Sequence, residues 1–336
     1  MWKRLQTINQ NLVWAIPAAM LLGVLVGLGL QVAPLKLLIL PFTFLMVYPM
    51  TVNLRIQSLF NQLDARLHIA TGLLNFGIFP FVAFGLGRVF FPSQPYLALG
   101  LLMAALVPTS GMTISWTGMA KGNVPAAVQM AVIGLIAGSL ATPVYVQALL
   151  GAQVSVAWKA VFTQIGVVVF LPLLLGQVTR VLLVSRFGQE GFQKTWAPRM
   201  PSLSTLGVLG VVFVAIALKA KDMARNPAVI PAILLPLGIL YLFNFLVSTW
   251  VGRSFFKRDD ALALVFGTVL RNLSIALAVA MTAFGPKGAE AAVVISLAYV
   301  LQVLAAAWYA RLADRLFPIV PVCAAGTPAG SGSEAR

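Results

Sequence analysis

A chain of 336 residues with 60% hydrophobic and only 9% charged residues, at a net charge of +15, is no soluble domain, since those carry about a quarter charged residues. Its basic residues stand singly at the ends of apolar runs, as the positive-inside rule expects, and no basic cluster interleaves with exposed aromatics, so nucleic acid is excluded as a partner. Cys323 is the lone cysteine and His68 the lone histidine, so no intrachain disulfide or thiolate metal cluster can form, and no metal or other cofactor is expected.

The first ten residues carry Lys3 and Arg4, and the apolar run 11–32 follows. That run is longer than the roughly 7–15 residues of a signal-peptide core, so it is read as a first spanning helix. Apolar stretches long enough to span then recur at residues 12–32, 35–54, 68–91, 97–120, 124–150, 158–184, 203–218, 228–256, 262–284 and 289–312. By the length criterion of about 20 residues this predicts about ten helices, an all-α integral membrane protein. The tail 317–336, rich in Pro, Gly, Ser and Ala, is expected to be disordered. Lys and Arg favour the side of the N-terminus about two to one, which places both termini in the cytoplasm and the chain in the inner (plasma) membrane. The stretch 185–201, with Phe187, Phe192 and Trp196 beside Arg and Lys, is either an interfacial segment or a plain loop.

The two halves share internal similarity. Gly87-Arg88-Val89-Phe90-Phe91 recurs as Gly252-Arg253-Ser254-Phe255-Phe256, and Leu97-Ala98-Leu99 recurs at the same offset as Leu262-Ala263-Leu264. With an odd number of spans per half, residues 1–150 and 151–316 form two oppositely inserted five-helix repeats. A chance match of short strings is the alternative.

Chemistry concentrates in the fourth span of each half. In the first, Pro108 removes a backbone donor, and Thr109, Ser110, Gly111 and Thr113 follow at once. In the second, Arg271, Asn272 and Ser274 sit in the middle of an otherwise apolar run. A charge at membrane depth costs about 2.5–3.5 kcal/mol on translocon scales, so Arg271 must face protein or a cavity. The first interruption is either an unwound, site-forming break or a proline kink with self-bonded hydroxyls. Any break in the second comes from Gly267-Thr268 or from Arg271-Asn272. Asn75, Gln129, Gln164, Asn244, Ser296 and Gln302 either line a cavity or hydrogen-bond between helices; Gln129 is favoured as lining, because it follows the fourth span. Pro17, Gly23, Pro172 and Gly176 are read as close-packing residues and Lys121 as a helix-end anchor.

Pro108–Asn123, ending Ser-Trp-Thr-Gly-Met-Ala-Lys-Gly-Asn, resembles the fourth-helix motif of the bile acid:sodium symporter superfamily. Leu45-Met46-Val47-Tyr48-Pro49-Met50 resembles the second helix of its arsenite-efflux permease branch, and Arg271-Asn272-Leu273-Ser274-Ile275-Ala276 the ninth helix. The resemblance implies two inverted five-helix repeats arranged as a panel and a core, with broken, crossing helices four and nine. The arsenite branch carries a fourth-helix cysteine and a ninth-helix glutamate where this chain has Thr109 and Ser274. Sodium-coupled members carry an asparagine where Ile114 follows Thr113, and a sodium-binding glutamate and glutamine at the positions of Gly267 and Arg271.

The candidate solute-binding residues are therefore Arg271, Asn272, Ser274, Thr109, Ser110, Thr113 and Gln129. Three roles are open to Arg271: replacing a sodium ion electrostatically, pairing with an anionic solute, or locking the fold. The expected function is secondary transport of a small anionic solute or oxyanion by alternating access, independent of sodium, with the bilayer as the other partner. Arsenite efflux, sodium-coupled organic-anion symport and a passive channel are the alternatives, and enzymatic activity is not expected. The oligomeric state is not legible.

Overall fold

In the computed structural model the residues described are 2–54, 64–151, 154, 158–225, 227–284 and 287–318. The tail 319–336, with Cys323, and Arg55 lie outside them. Among the described residues every element is helical, apart from one two-residue backbone bridge.

The helices are α1 (Trp2–Gln10), α2 (Leu12–Gly29), α3 (Ile39–Val52, after a 3-10 turn Ala33–Leu38), α4 (Ala65–Gly72) and α5 (Phe79–Phe90). Then come α6 (Pro95–Leu106), α7 (Gly111–Met119), α8 (Val124–Leu150), α9 (Trp158–Ile165) and α10 (Leu171–Gly191). The chain continues with α11 (Met200–Arg225), α12 (Val229–Phe255), α13 (Arg258–Val269), α14 (Leu273–Ala283) and α15 (Gly288–Leu316). Seven helical stretches are long and apolar enough to cross a membrane, and Trp14–Gly29, Pro95–Leu106 and Leu273–Ala283 are shorter apolar helices.

Two spans that read as continuous are jointed by π-helical turns, Leu73–Ile78 between α4 and α5 and Gly166–Phe170 between α9 and α10. Each turn immediately precedes a helix with proline at its second residue, Pro80 or Pro172. A proline lacks the N–H and clashes with the carbonyl four residues back; one extra residue in the turn relieves both.

Packing divides the helices. α11 lies against α2 and α3, and α10 against α3. The approach of α3 to α11 is close because Gly207 has no side chain where the backbone of Met46 passes, and Ser204 Oγ donates to Met46 O at 2.5 Å. Gly23 faces Phe213 and Ile216 of α11, and Gly176 faces Thr51. On the other side α15 packs on α6, α12 and α14, and α12 on α13. There Gly100 admits the backbone of Ala291, which a Cβ would meet at 2.6 Å.

The stretch 185–201 is not a plain loop. α10 carries on through it, kinks at Gly188 (φ +72°), and passes into a π turn Phe192–Trp196. Phe192 is buried with Val52 and Met200, and the Arg180 guanidinium lies 4.9 Å from its ring centroid. Asp259 and Asp260 occupy the first turn of α13, where acids complement the helix dipole.

Candidate functional site at the two helix breaks

Both mid-chain polar interruptions break their helices. α6 ends at Leu106, Val107 is extended (φ −95°, ψ 90°), and α7 begins at Gly111. α13 ends at Val269, Leu270 is extended (φ −81°, ψ 103°), and α14 begins at Leu273. The second break falls at Arg271-Asn272; Gly267 and Thr268 stay helical. No proline is needed there because the freed backbone groups find partners across the gap. The breaks pair as an antiparallel bridge between Pro108 and Arg271, with Asn272 N donating to Val107 O at 2.8 Å. Broken backbone at membrane depth is tolerated where it is buried and satisfied like this.

Each new helix start is capped by its own sequence. Ser110 Oγ accepts from Met112 N at 3.2 Å and Thr113 Oγ1 accepts from Ser110 N at 3.3 Å, a capping box. Asn272 Oδ1 accepts from Ile275 N at 3.3 Å. Two helix N-termini, each with its partial positive charge, therefore meet at one place. Thr109 is held at φ +58°, rare for a β-branched residue. Its hydroxyl reaches Met130 O at 2.9 Å and Pro108 O at 2.8 Å. Gly134 and Gly138 of α8 provide the room: a Cβ on Gly138 would meet Pro108 Cδ at 2.6 Å, and one on Gly134 would overlap the Thr109 hydroxyl.

Arg271 is 1% exposed. Its NH1 donates to Asn75 Oδ1 at 2.9 Å, and its Cζ stands 5.3 Å from the centroid of Phe79. Asn75 Nδ2 donates in turn to Gly267 O at 3.2 Å. The Arg271 backbone is clasped by Gln302 of α15: Arg271 N donates to Oε1 at 2.8 Å and Nε2 donates to Arg271 O at 3.1 Å. Tyr241 OH also donates to that Oε1, at 3.1 Å. Among the described residues no carboxylate pairs with the guanidinium, and its Nε and NH2 have no hydrogen-bond partner.

A narrow cleft, with only ≈ 10 Å³ of room for a water-sized group, lies beside the breaks. Val47, Met50, Thr51 and Leu54 form one wall, Ala131 and Leu135 of α8 another, and Thr109, Ser110, Asn272 and Ile275 the floor. Of the seven residues singled out in the sequence, Thr109, Ser110 and Asn272 line it. Arg271 turns away toward α5. Thr113 Oγ1 donates to Phe266 O at 3.3 Å and straps α7 to α13, while the Ser274 hydroxyl bonds Tyr299 OH on α15. Gln129 is buried on α8 but is not part of the lining. Sequence reasoning missed Gln302 and Asn75 as partners of Arg271, and Gly134 with Gly138 as the seat of the first break. The signal for the first pair was a polar side chain in mid-span; for the second it was a small-residue pair four apart on the helix after the break.

Comparison with known proteins places the site in context. The model of the "Sodium Bile acid symporter family" matches residues 40–226. The chain is 26% identical to the arsenical-resistance protein Acr3 of Corynebacterium glutamicum over 311 residues, covering 87% of this chain and 83% of that one. It is 26% identical to the Acr3 of Alkaliphilus metalliredigens over 300 residues, 81% of this chain and 83% of the other. It is 24% identical to sodium/bile acid cotransporter 7-B of Xenopus laevis over 240 residues, 67% of each.

Proposed function

The chain belongs to the sodium bile acid symporter family, a membrane transporter family, and on that footing we propose that it carries a small anionic solute or oxyanion by alternating access, without sodium. The observation that carries this reading is the Arg271 guanidinium, buried behind the floor of the cleft without a carboxylate partner among the described residues. By the resemblance to sodium-coupled members, Gly267 and Arg271 stand where those proteins hold a glutamate and a glutamine. The guanidinium donates to Asn75 Oδ1, an oxygen that suits a hard cation. In this reading Arg271 is a permanent, tethered substitute for the ion. Its field adds to the two helix N-termini at Ser110 and Asn272, so the floor of the cleft favours negative charge. Direct solute contact falls to Thr109, Ser110 and Asn272. The Asn272 amide is well suited: its oxygen caps α14, its NH2 is a donor, and the residue lines the cleft.

The ten-crossing, inverted-repeat arrangement is part of the proposal. Residues touching at one end of the bundle must be separated by an even number of crossings. The Arg199 guanidinium lies over Trp2 at 5.2 Å, Arg258 NH1 donates to Lys121 O at 3.2 Å and its Nε to Phe317 O at 3.1 Å, and Lys287 Nζ lies 5.3 Å from the Tyr96 ring centroid. Counting α6–α7 and α13–α14 each as one broken span satisfies every pair. The first halves of those spans in chain order, α6 and α13, are both 12 residues long. The set of α2, α3, α10 and α11 would be one body and the set around the breaks the other, rocking about the cleft.

Arsenite efflux is a second reading, favoured by the names of the two Acr3 relatives. It lacks a thiol at the cleft: Thr109 occupies the cysteine position, and Cys323 lies in the tail. A thermal-shift screen of the purified protein against organic anions, inorganic oxyanions, arsenite and sodium tests both readings, since a ligand that binds the folded state raises its stability by mass action. An anion that stabilises equally in sodium and in choline buffer supports the proposal. Stabilisation by arsenite alone, or only by anion and sodium together, overturns it.

A further inference from the structure

The cleft lies at one end of α11 and a charged contact lies at the other. α3 and α11 run antiparallel, because Ser204 meets Met46 while Gly210 meets Phe42. The cleft residues Met50, Thr51 and Leu54 are therefore level with the first turns of α11, near Met200. At about 1.5 Å per residue α11 carries Lys219 roughly 28 Å beyond Met200. There Lys219 Nζ bonds Glu290 Oε1 on the first turn of α15 at 2.9 Å, and Asp222 Oδ2 on its own helix at 3.3 Å. Of the five ion pairs among the described residues, Lys219–Glu290 alone joins α11 to α15. The Lys219 side chain is 17% exposed and that of Glu290 36%, so water reaches the contact without separating it.

We infer that Lys219–Glu290 is the latch that holds the far end of the transporter shut while the cleft faces the end marked by Trp2, Arg199 and Leu54. This rests on the alternating-access reading above. α11 packs with α2 and α3, α15 with α6, α12 and α14, and the two sets meet where α11 and α2 lie against α15. If those two sets rock against each other, the end where Lys219 meets Glu290 must part for solute to leave, and the ion pair must break. A half-exposed pair adds little to folding. In a protein balanced between two states, the same small increment changes their ratio severalfold. Asp222, 3.3 Å from Lys219 Nζ on the same helix, holds the ammonium in place when Glu290 withdraws, so the latch can re-form without searching for its partner.

The test needs a reporter of access and no knowledge of the solute. With Cys323→Ser as background, Val47→Cys places one thiol in the wall of the cleft. Labelling by a membrane-impermeant maleimide is then measured in right-side-out and in inside-out vesicles. With the latch intact the thiol should react from the Arg199 end. Glu290→Gln and Lys219→Ala should each raise labelling from the opposite end about fivefold. The reversed pair, Lys219→Glu with Glu290→Lys, should return it to within about twofold of the parent, which separates a latch from general loosening. Unchanged labelling in the single variants, or a reversed pair no better than they are, overturns the latch. Lack of binding or flux for every anion tried, with the labelling pattern as expected, would count against the transport reading and leave the latch standing.

Discussion

Replacing Arg271 with methionine separates the roles open to it, because the energies that concern folding nearly cancel while those that concern the solute do not. The variant loses a charge-assisted hydrogen bond to Asn75, worth about 1.5–3 kcal/mol, and a desolvated cation–π contact with Phe79, worth about 2 kcal/mol. It recovers the cost of holding a charge at membrane depth, about 2.5–3.5 kcal/mol, and the methionine fills the space against Phe79. The net change in stability should therefore be within about 2 kcal/mol, a shift of a few degrees in melting temperature. The solute term is different. The guanidinium points toward Asn75, away from the cleft, while the next residue, Asn272, lines it. Taking about 8 Å from guanidinium to solute charge and an effective dielectric of about 20, the attraction on a monoanion is ~2 kcal/mol, roughly 30-fold in affinity. A neutral solute such as arsenous acid gains almost nothing. Equilibrium binding to purified parent and Arg271→Met protein, with an anion found in the screen and with arsenite, reads this directly. A loss near 30-fold for the anion with arsenite unaffected is expected. Equal losses for both would point to a collapsed site, and no loss for the anion would refute the tethered-cation reasoning.

Four further substitutions have outcomes set by what surrounds each residue. Arg271→Gln should make the protein sodium-responsive, because removing the guanidinium frees Asn75 Oδ1; a sodium-dependent rise in melting temperature, absent from the parent, is the readout. Gln302→Leu leaves the Arg271 N–H and C=O without their partners and should cost about 2–4 kcal/mol, seen as a lower melting temperature in detergent. Gly100→Ala should destabilise by about 1–3 kcal/mol, since its Cβ would sit 2.6 Å from Ala291 O. Gly238→Ala, where nothing lies within 4 Å, should be neutral or slightly stabilising in the same assay.

Much of this molecule was determined by local sequence. Apolar runs of spanning length gave the helices, because a bilayer leaves a chain few ways to satisfy its backbone. The sites of both breaks were legible too: Pro108 removes a donor, and a run of Thr, Ser and Asn caps whatever helix follows. The π turns ahead of Pro80 and Pro172 and the helical course of 185–201 escaped, since a helix-period pattern does not show a single extra residue in a turn. What only tertiary structure decided is the direction of each polar side chain. The Arg271 guanidinium faces Asn75 rather than the cleft while Gln302 clasps its backbone, and those partners lie 196 and 31 positions away in the chain. Ser274 is claimed by Tyr299 and Thr113 by Phe266, which leaves Thr109, Ser110 and Asn272 at the floor. A buried polar group goes to whichever partner removes the largest desolvation cost, and that partner is set by how helices pack across the whole chain.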